Sequence, residues 1–361
     1  MNFKEAGSFL DKITMGAVGT KAVIESLNSH GHEIIELERY CTSNKIWSTK
    51  IKRLRMPDLL CLKCGKRIEA RAKSALEIKM SDTESNPDRR WNIGLRGEDL
   101  IAFINCYKKD DVWNTDGIVN LFAVHSLEEA ENCSKLGNPK SPGEGSERDR
   151  TWKSYTPKKA GTVIEILKSP KSCIKLKYED GKTYTYNLKE GYQCYCQIGD
   201  KFKANSDIIA GVVPRKEALN CQGAKYDFLE DLLSEQKETK YAGIKALGYL
   251  PKTDKSIVQL KNVLQKEGDA RLCLEAYSSL IRLGEDLWDE FFEYAMTIEE
   301  IEYKMEFVLI LGELSDYSKA NEILVSIIDN LEFTDELRAA ALWSLKVSDK
   351  TIDKILECCF P

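Results

Sequence analysis

Met56-Pro57-Asp58 is followed, after ten intervening residues, by Glu69-Ala70-Arg71-Ala72-Lys73. Between them lie the apolar run LLCL and a Lys63-Cys64-Gly65-Lys66 turn, and in RIEARAK the small or apolar Ile68, Ala70 and Ala72 alternate with charged residues. Period-two alternation beside a glycine-containing turn predicts a hairpin with one charged face. Asp58 and Glu69 then meet on adjacent strands. Two carboxylates so placed repel each other and bind a hard divalent cation, Mg2+ or Mn2+, through oxygen ligands. The same geometry sets Glu69, Arg71 and Lys73 on one side of the strand, so cationic groups stand beside the acidic pair.

The elements that must hold this hairpin are legible around it. Residues 20–29 (TKAVIESLNS) place Ala22, Val23 and Leu27 at helical spacing and end at Ser29-His30-Gly31, a helix stop. HEIIELERYC reads as a short strand, and DLIAFINCY from Asp99 and IVNLFAVHS from Ile118 read as buried strands of the same sheet, closed by a helix over LEEAENCSKL. The first domain, 1–133, is expected to be mixed α and β. Residues 134–160, dense in Gly, Pro, Ser and charge, are expected to be a linker. Residues 161–215 contain short strands and an Asp180-Gly181 hairpin turn, which predicts a small β-barrel-like domain.

The Pro-Asp and Glu-x-x-x-Lys constellation, with its helix and strand lead-in, resembles the PD-(D/E)xK nuclease superfamily. That resemblance implies an α/β restriction-endonuclease-like fold and a Mg2+-dependent nuclease in which Asp58 and Glu69 are metal ligands. Asp58, Glu69, Arg71 and Lys73 are then the catalytic set, with the metal polarising a scissile phosphate and a cation stabilising the developing charge. The residue two positions after Glu69 is Arg71 where the family carries Lys. Arginine does not deprotonate near neutral pH, so Arg71 is suited to clamp phosphate and Lys73 inherits the lysine role. Glu77-Ile78-Lys79 offers a second frame, and Glu25 a further ligand on resemblance alone.

From 218 to 361 the chain is helical and repetitive. Leu247, Leu280, Leu311 and Leu342 recur at intervals of 33, 31 and 31 residues, each followed three residues later by another leucine. KYAGIKALGYL, RLCLEAYSSLIRLG, YKMEFVLILGEL and ELRAAALWSL are similar to the second helices of HEAT-type repeats, which implies a C-terminal α-solenoid and a multi-domain chain.

Net charge is −5, unevenly distributed. Residues 42–79 hold eleven basic and three acidic side chains, and residues 225–361 sixteen and twenty-eight. A polyanion would be drawn to the first segment, with Lys50, Lys52, Arg53 and Arg55 as candidate nucleic-acid contacts and DNA the expected partner; the acidic repeats suit a protein partner. Cys61-x-x-Cys64-Gly65 looks like half of a zinc ribbon, whose missing ligands could come from Cys41, Cys106, His30 or His32. None is at diagnostic spacing, so a hairpin turn with small buried thiols is the preferred reading over Zn2+. Arg89, Arg90, Trp91 and Arg96 could meet phosphate and base. Tyr178, Tyr184, Tyr186, Tyr192 and Tyr195 interleave with lysines, a pattern for either single-strand stacking or, preferably, cross-strand packing.

No apolar run approaches the roughly 18 to 20 residues of a membrane span, and the N-terminus lacks a secretory apolar core, so a cytoplasmic protein is expected. No Walker loop, GxGxxG, GxSxG or HExxH appears. The expected function is a DNA nuclease in restriction or anti-phage defence. The alternative is a catalytically degenerate nucleic-acid-binding module whose repeats recruit a protein.

Overall fold

A computed structural model describes residues 6–37, 47–52, 54–140, 146–168, 172–223 and 225–346. The chain divides into two compact units, residues 1–34 with 55–225, and residues 35–54 with 226–361.

In the first unit, helix α1 (Ala6–Ser29) presents Ala22, Val23 and Leu27 as a buried stripe and stops at Gly31, whose φ of +87° favours glycine. The stripe covers one face of a five-stranded mixed sheet ordered β1 (Ile34–Glu36), β2 (Leu59–Cys61), β3 (Arg67–Lys73), β5 (Leu100–Lys109) and β6 (Val112–Ala123). β2 is antiparallel to β3, β3 parallel to β5, and β5 antiparallel to β6. Ile68, Ala102, Ile104 and Leu121 pack under α1 with Ala70 and Ala72. A Cβ on Gly19 would stand 2.5 Å from that of Ala72, so the glycine sets how closely helix and strand approach.

The opposite face carries Ile101, Phe103 and Phe122 into a second core with Ile78, Met80, Trp91 and Trp152. Those last residues include β4 (Ile78–Asp82), which pairs with β8 (Arg148–Trp152), itself flanked by β7 (Ser134–Leu136). The expected linker 134–160 therefore contributes strands. Its apolar content is low because β8 is anchored by one fully buried Trp152 and by Arg150, whose Nε bonds Asp82 Oδ2 at 2.5 Å in the interior.

The β region beyond does not close into a barrel. β10 (Gly161–Leu167), β11 (Cys173–Tyr178), β12 (Thr183–Asn187) and β14 (Lys201–Phe202) form an open sheet ordered β12-β11-β10-β14. Three two-residue strands, β9 (Ser154–Tyr155), β13 (Gln193–Cys194) and β15 (Ala210–Gly211), form another. Strands this short give too few ladder bonds to carry a continuous barrel wall.

The second unit is helical. Helices Lys237–Leu247, Ala270–Arg282, Ile301–Glu313 and Asp335–Ser344 pack successively on one another, while Asp254–Lys266, Trp288–Thr297 and Ser318–Asp329 pack against them. The first four contain the recurrent leucines; Leu247, Leu280 and Leu311 are buried. Small residues let these helices approach: a Cβ on Gly248 would meet Ser279 Oγ at 2.7 Å. Ser279 donates to the Ile244 carbonyl at 2.8 Å, and buried Arg271 pairs with Glu306 at 2.7 Å. Residues 47–52, expected to lie in the first domain, belong to this unit: Ile51 joins its core and Thr49 Oγ1 donates to Glu336 at 2.6 Å.

Candidate functional site

The β2–β3 register pairs Leu59 with Ile68 and Leu60 with Arg67. Continued by one residue, it sets Asp58 opposite Glu69, and opposed residues of an antiparallel pair face the same side. Ala70 N–H donates to Asp58 Oδ2 at 3.0 Å, so the aspartate is tied to the strand that carries the glutamate. Glu69 is buried, and Arg71 Nη2 lies 2.5 Å from its Oε1. The chain thus supplies both an acidic pair and, two residues on, the cation that neutralises half of it.

Lys73 ends the row. Burial, with the positive charge of Arg71 next, pulls its amine down to about 8; Asp149 acts in the opposite direction. Its register partner on β5 is Asn105, a buried side chain whose Oδ1 has no hydrogen-bond partner among the described residues. At the root of the strand, Arg67 Nε bonds Asp99 Oδ1 at 2.9 Å in the interior, a structural pair.

The alternative frame is elsewhere. Glu77 precedes β4 in the other sheet and pairs with Lys79 at 2.5 Å, so it does not share a strand pair with Asp58. Glu25 is exposed on α1, 3.9 Å from Lys21. Lys50 and Lys52 fall in the helical unit and Arg55 in the first, where it donates to the Asp88 carbonyl; Arg53 lies outside the described residues. The basic run therefore does not form one patch within one unit. Arg90 pairs with Glu131 at 2.5 Å and Trp91 is core, edge-on to Trp152. Among the tyrosines, Tyr195 is half-buried with its hydroxyl donating to the Val213 carbonyl at 2.6 Å, whereas Tyr178, Tyr184 and Tyr192 line a cleft of about 750 Å³ with Tyr155, Lys158 and Lys189. Glu77 lines the same cleft.

At the other end of the hairpin, His32, Cys61, Cys64 and Cys221 bring one ligand atom each to within 4.8 Å of the others. Gly65, at φ +69°, lets the turn close, with its N–H donating to the Cys61 carbonyl at 2.9 Å. A hydrogen bond from the Cys64 thiol pulls the Cys61 thiol down, and burial opposes this. Cys64 is pushed up by the same sharing and by burial. Of the ligands considered from sequence, His32 joins the group; His30 bonds the Ser26 carbonyl, Cys106 the Met15 carbonyl, and Cys41 lies outside the described residues. Cys221 was not foreseen. It is a solitary cysteine far along the chain, with no spacing to connect it to the turn.

Among the described residues no helix is long and apolar enough to cross a membrane. Comparison of the chain with family models, with curated proteins and with solved structures gives no match in any of the three.

Proposed function

We propose that this chain is a Mg2+-dependent nuclease, hydrolysing phosphodiester bonds of DNA at an edge formed by Asp58, Glu69, Arg71 and Lys73. The register that sets Asp58 across from Glu69, with Arg71 and Lys73 next along the same side, carries the reading. The order helix, strand, hairpin that the PD-(D/E)xK resemblance requires is the order α1, β1, β2, β3.

The donor set fits a hard ion. Mg2+ is held by one or two carboxylates and completes its octahedron with waters and substrate phosphate, so Asp58 and Glu69 suffice on the protein side. Bound there, the ion would supply Lewis acidity and a more acidic attacking water. The protein's own residues do the remainder. Arg71, permanently charged, would exchange Glu69 for non-bridging phosphate oxygens and so couple substrate arrival to release of a carboxylate. Lys73, with its amine near 8, is divided between neutral and charged forms close to physiological pH, the range in which a proton acceptor is most effective. The tyrosine- and lysine-lined cleft is suited to stack bases of a strand and to contact its backbone.

The helical unit, similar to HEAT-type repeats and strongly acidic, would dock a protein, consistent with a restriction or defence role inferred from architecture. A second reading, a degenerate module that binds nucleic acid without cutting it, is favoured by one observation, the Glu69–Arg71 ion pair. Incubation of the full chain with plasmid, single-stranded DNA and RNA in Mg2+ separates the two. Cleavage that disappears in Asp58→Ala and Glu69→Ala supports the nuclease. Equal behaviour of parent and variants, with retention of nucleic acid intact, leaves the binding module.

A further inference from the structure

We infer that His32, Cys61, Cys64 and Cys221 form a closed, structural Zn2+ site at the turn of the β2–β3 hairpin. This inference stands independently of the nuclease reading.

Four donors around Zn2+, with Zn–S near 2.3 Å, define a tetrahedron whose edges are roughly 3.8 Å. The four ligand atoms lie within 4.8 Å of one another, and His32 Nδ1 stands 3.8 Å from Cys64 Sγ. Contraction of the shell by less than about 1 Å would complete that geometry.

The imidazole is already in the form that a metal needs. Its Nε2 is 3.0 Å from the Leu219 carbonyl. A carbonyl only accepts, so Nε2 carries the proton and Nδ1 presents a lone pair to the thiols. The turn that carries Cys61 and Cys64 is closed by the Gly65 N–H on the Cys61 carbonyl at 2.9 Å. Cys221 is delivered by its own N–H, which donates to the His30 carbonyl at 3.0 Å.

Three thiolates and an imidazole are soft and borderline donors, which select zinc over magnesium or calcium. Four protein ligands leave no open coordination position, so the ion would hold structure and not catalyse. What it holds is clear from the chain: the loop after α1, the β2–β3 turn and the segment following β15 are irregular and remote in sequence, and one ion would join all three.

The test uses the reduced full-length chain, expressed in zinc-supplemented medium. About one equivalent of zinc should survive dialysis, and Co2+ exchanged into the chain should give the intense visible bands of a tetrahedral site with thiolate-to-cobalt charge transfer in the near ultraviolet. Cys221→Ser should lower zinc affinity at least about tenfold, with Cys106→Ser as the control that retains it. If Cys221→Ser does not fold, the cobalt spectrum of the parent still decides. Absence of zinc together with an octahedral cobalt spectrum overturns the site, as does a Cys61–Cys64 disulfide mapped in the chain as isolated.

Discussion

The two ends of the β2–β3 hairpin present opposite solutions to gathering metal-ligand groups. At the open end, Asp58 and Glu69 are hard, charged donors, and the strand itself supplies a competitor, Arg71, 2.5 Å from Glu69. At the turn, His32, Cys61, Cys64 and Cys221 are softer donors with no cation bonded to them among the described residues, and the proton on His32 is held on the far nitrogen by Leu219. A site with a built-in competitor can exchange partners during a reaction; one whose four donors converge on each other is suited to keep its ion.

The largest expected effect breaks the turn. If it holds zinc at about a thousandfold above its dissociation constant, stripping the ion with a strong chelator removes on the order of 4 kcal/mol, read as a fall of about 10 °C in melting temperature that zinc restores. Next, at the open end, Asp58→Ala should reduce Mg2+-dependent cleavage on the order of a thousandfold, about 4 kcal/mol of transition-state stabilisation, while leaving zinc content and melting temperature nearly unchanged. Loss of zinc in Asp58→Ala would show the two ends are not independent.

A smaller effect comes from Lys73. Its folded amine titrates near 8, below the unfolded value, so the unfolded chain binds more protons between the two and stability rises with pH across that window. At pH 7 the buried charge is a full liability. Lys73→Met should therefore stabilise the chain at pH 7, on the order of 2 kcal/mol after allowance for partial contact with water, and lose that advantage as pH climbs toward 10; denaturation at both pH values checks it. The same variant should flatten the rise of cleavage through about pH 8. Smallest is Arg71→Lys, which exchanges a planar fork for a point charge: Mg2+ should bind a few-fold tighter, about 1 kcal/mol, as measured by titration.

The open end was legible in the sequence and the turn only in part, since Cys61, Cys64 and His32 were among the candidates there and Cys221 was not, for a physical reason. Asp58, Glu69, Arg71 and Lys73 are joined by local register, and a period of two around a glycine turn fixes which residues face one another. RIEARAK is β3 residue for residue. Cys221 reaches Cys64 only through the folding of everything between them, which no local spacing encodes. The same limit hid β8: Trp152 and the Arg150–Asp82 pair hold a strand in a segment whose composition suggests a linker. Repeat leucines such as Leu280 and Leu311 were readable because each helix packs on its neighbour in sequence. The closed barrel was not realised because alternation reports strands, and says nothing of whether a sheet's edges meet.

Anomalous diffraction from one crystal soaked in Mn2+, recorded at the manganese and zinc absorption edges, tests the central claim most directly. A manganese peak is expected beside Asp58 and Glu69, with the Arg71 guanidinium displaced from Glu69, and a separate zinc peak among His32, Cys61, Cys64 and Cys221. A crystal in which Arg71 stays on Glu69 and no manganese binds at Asp58, at saturating Mn2+, would contradict the hydrolase.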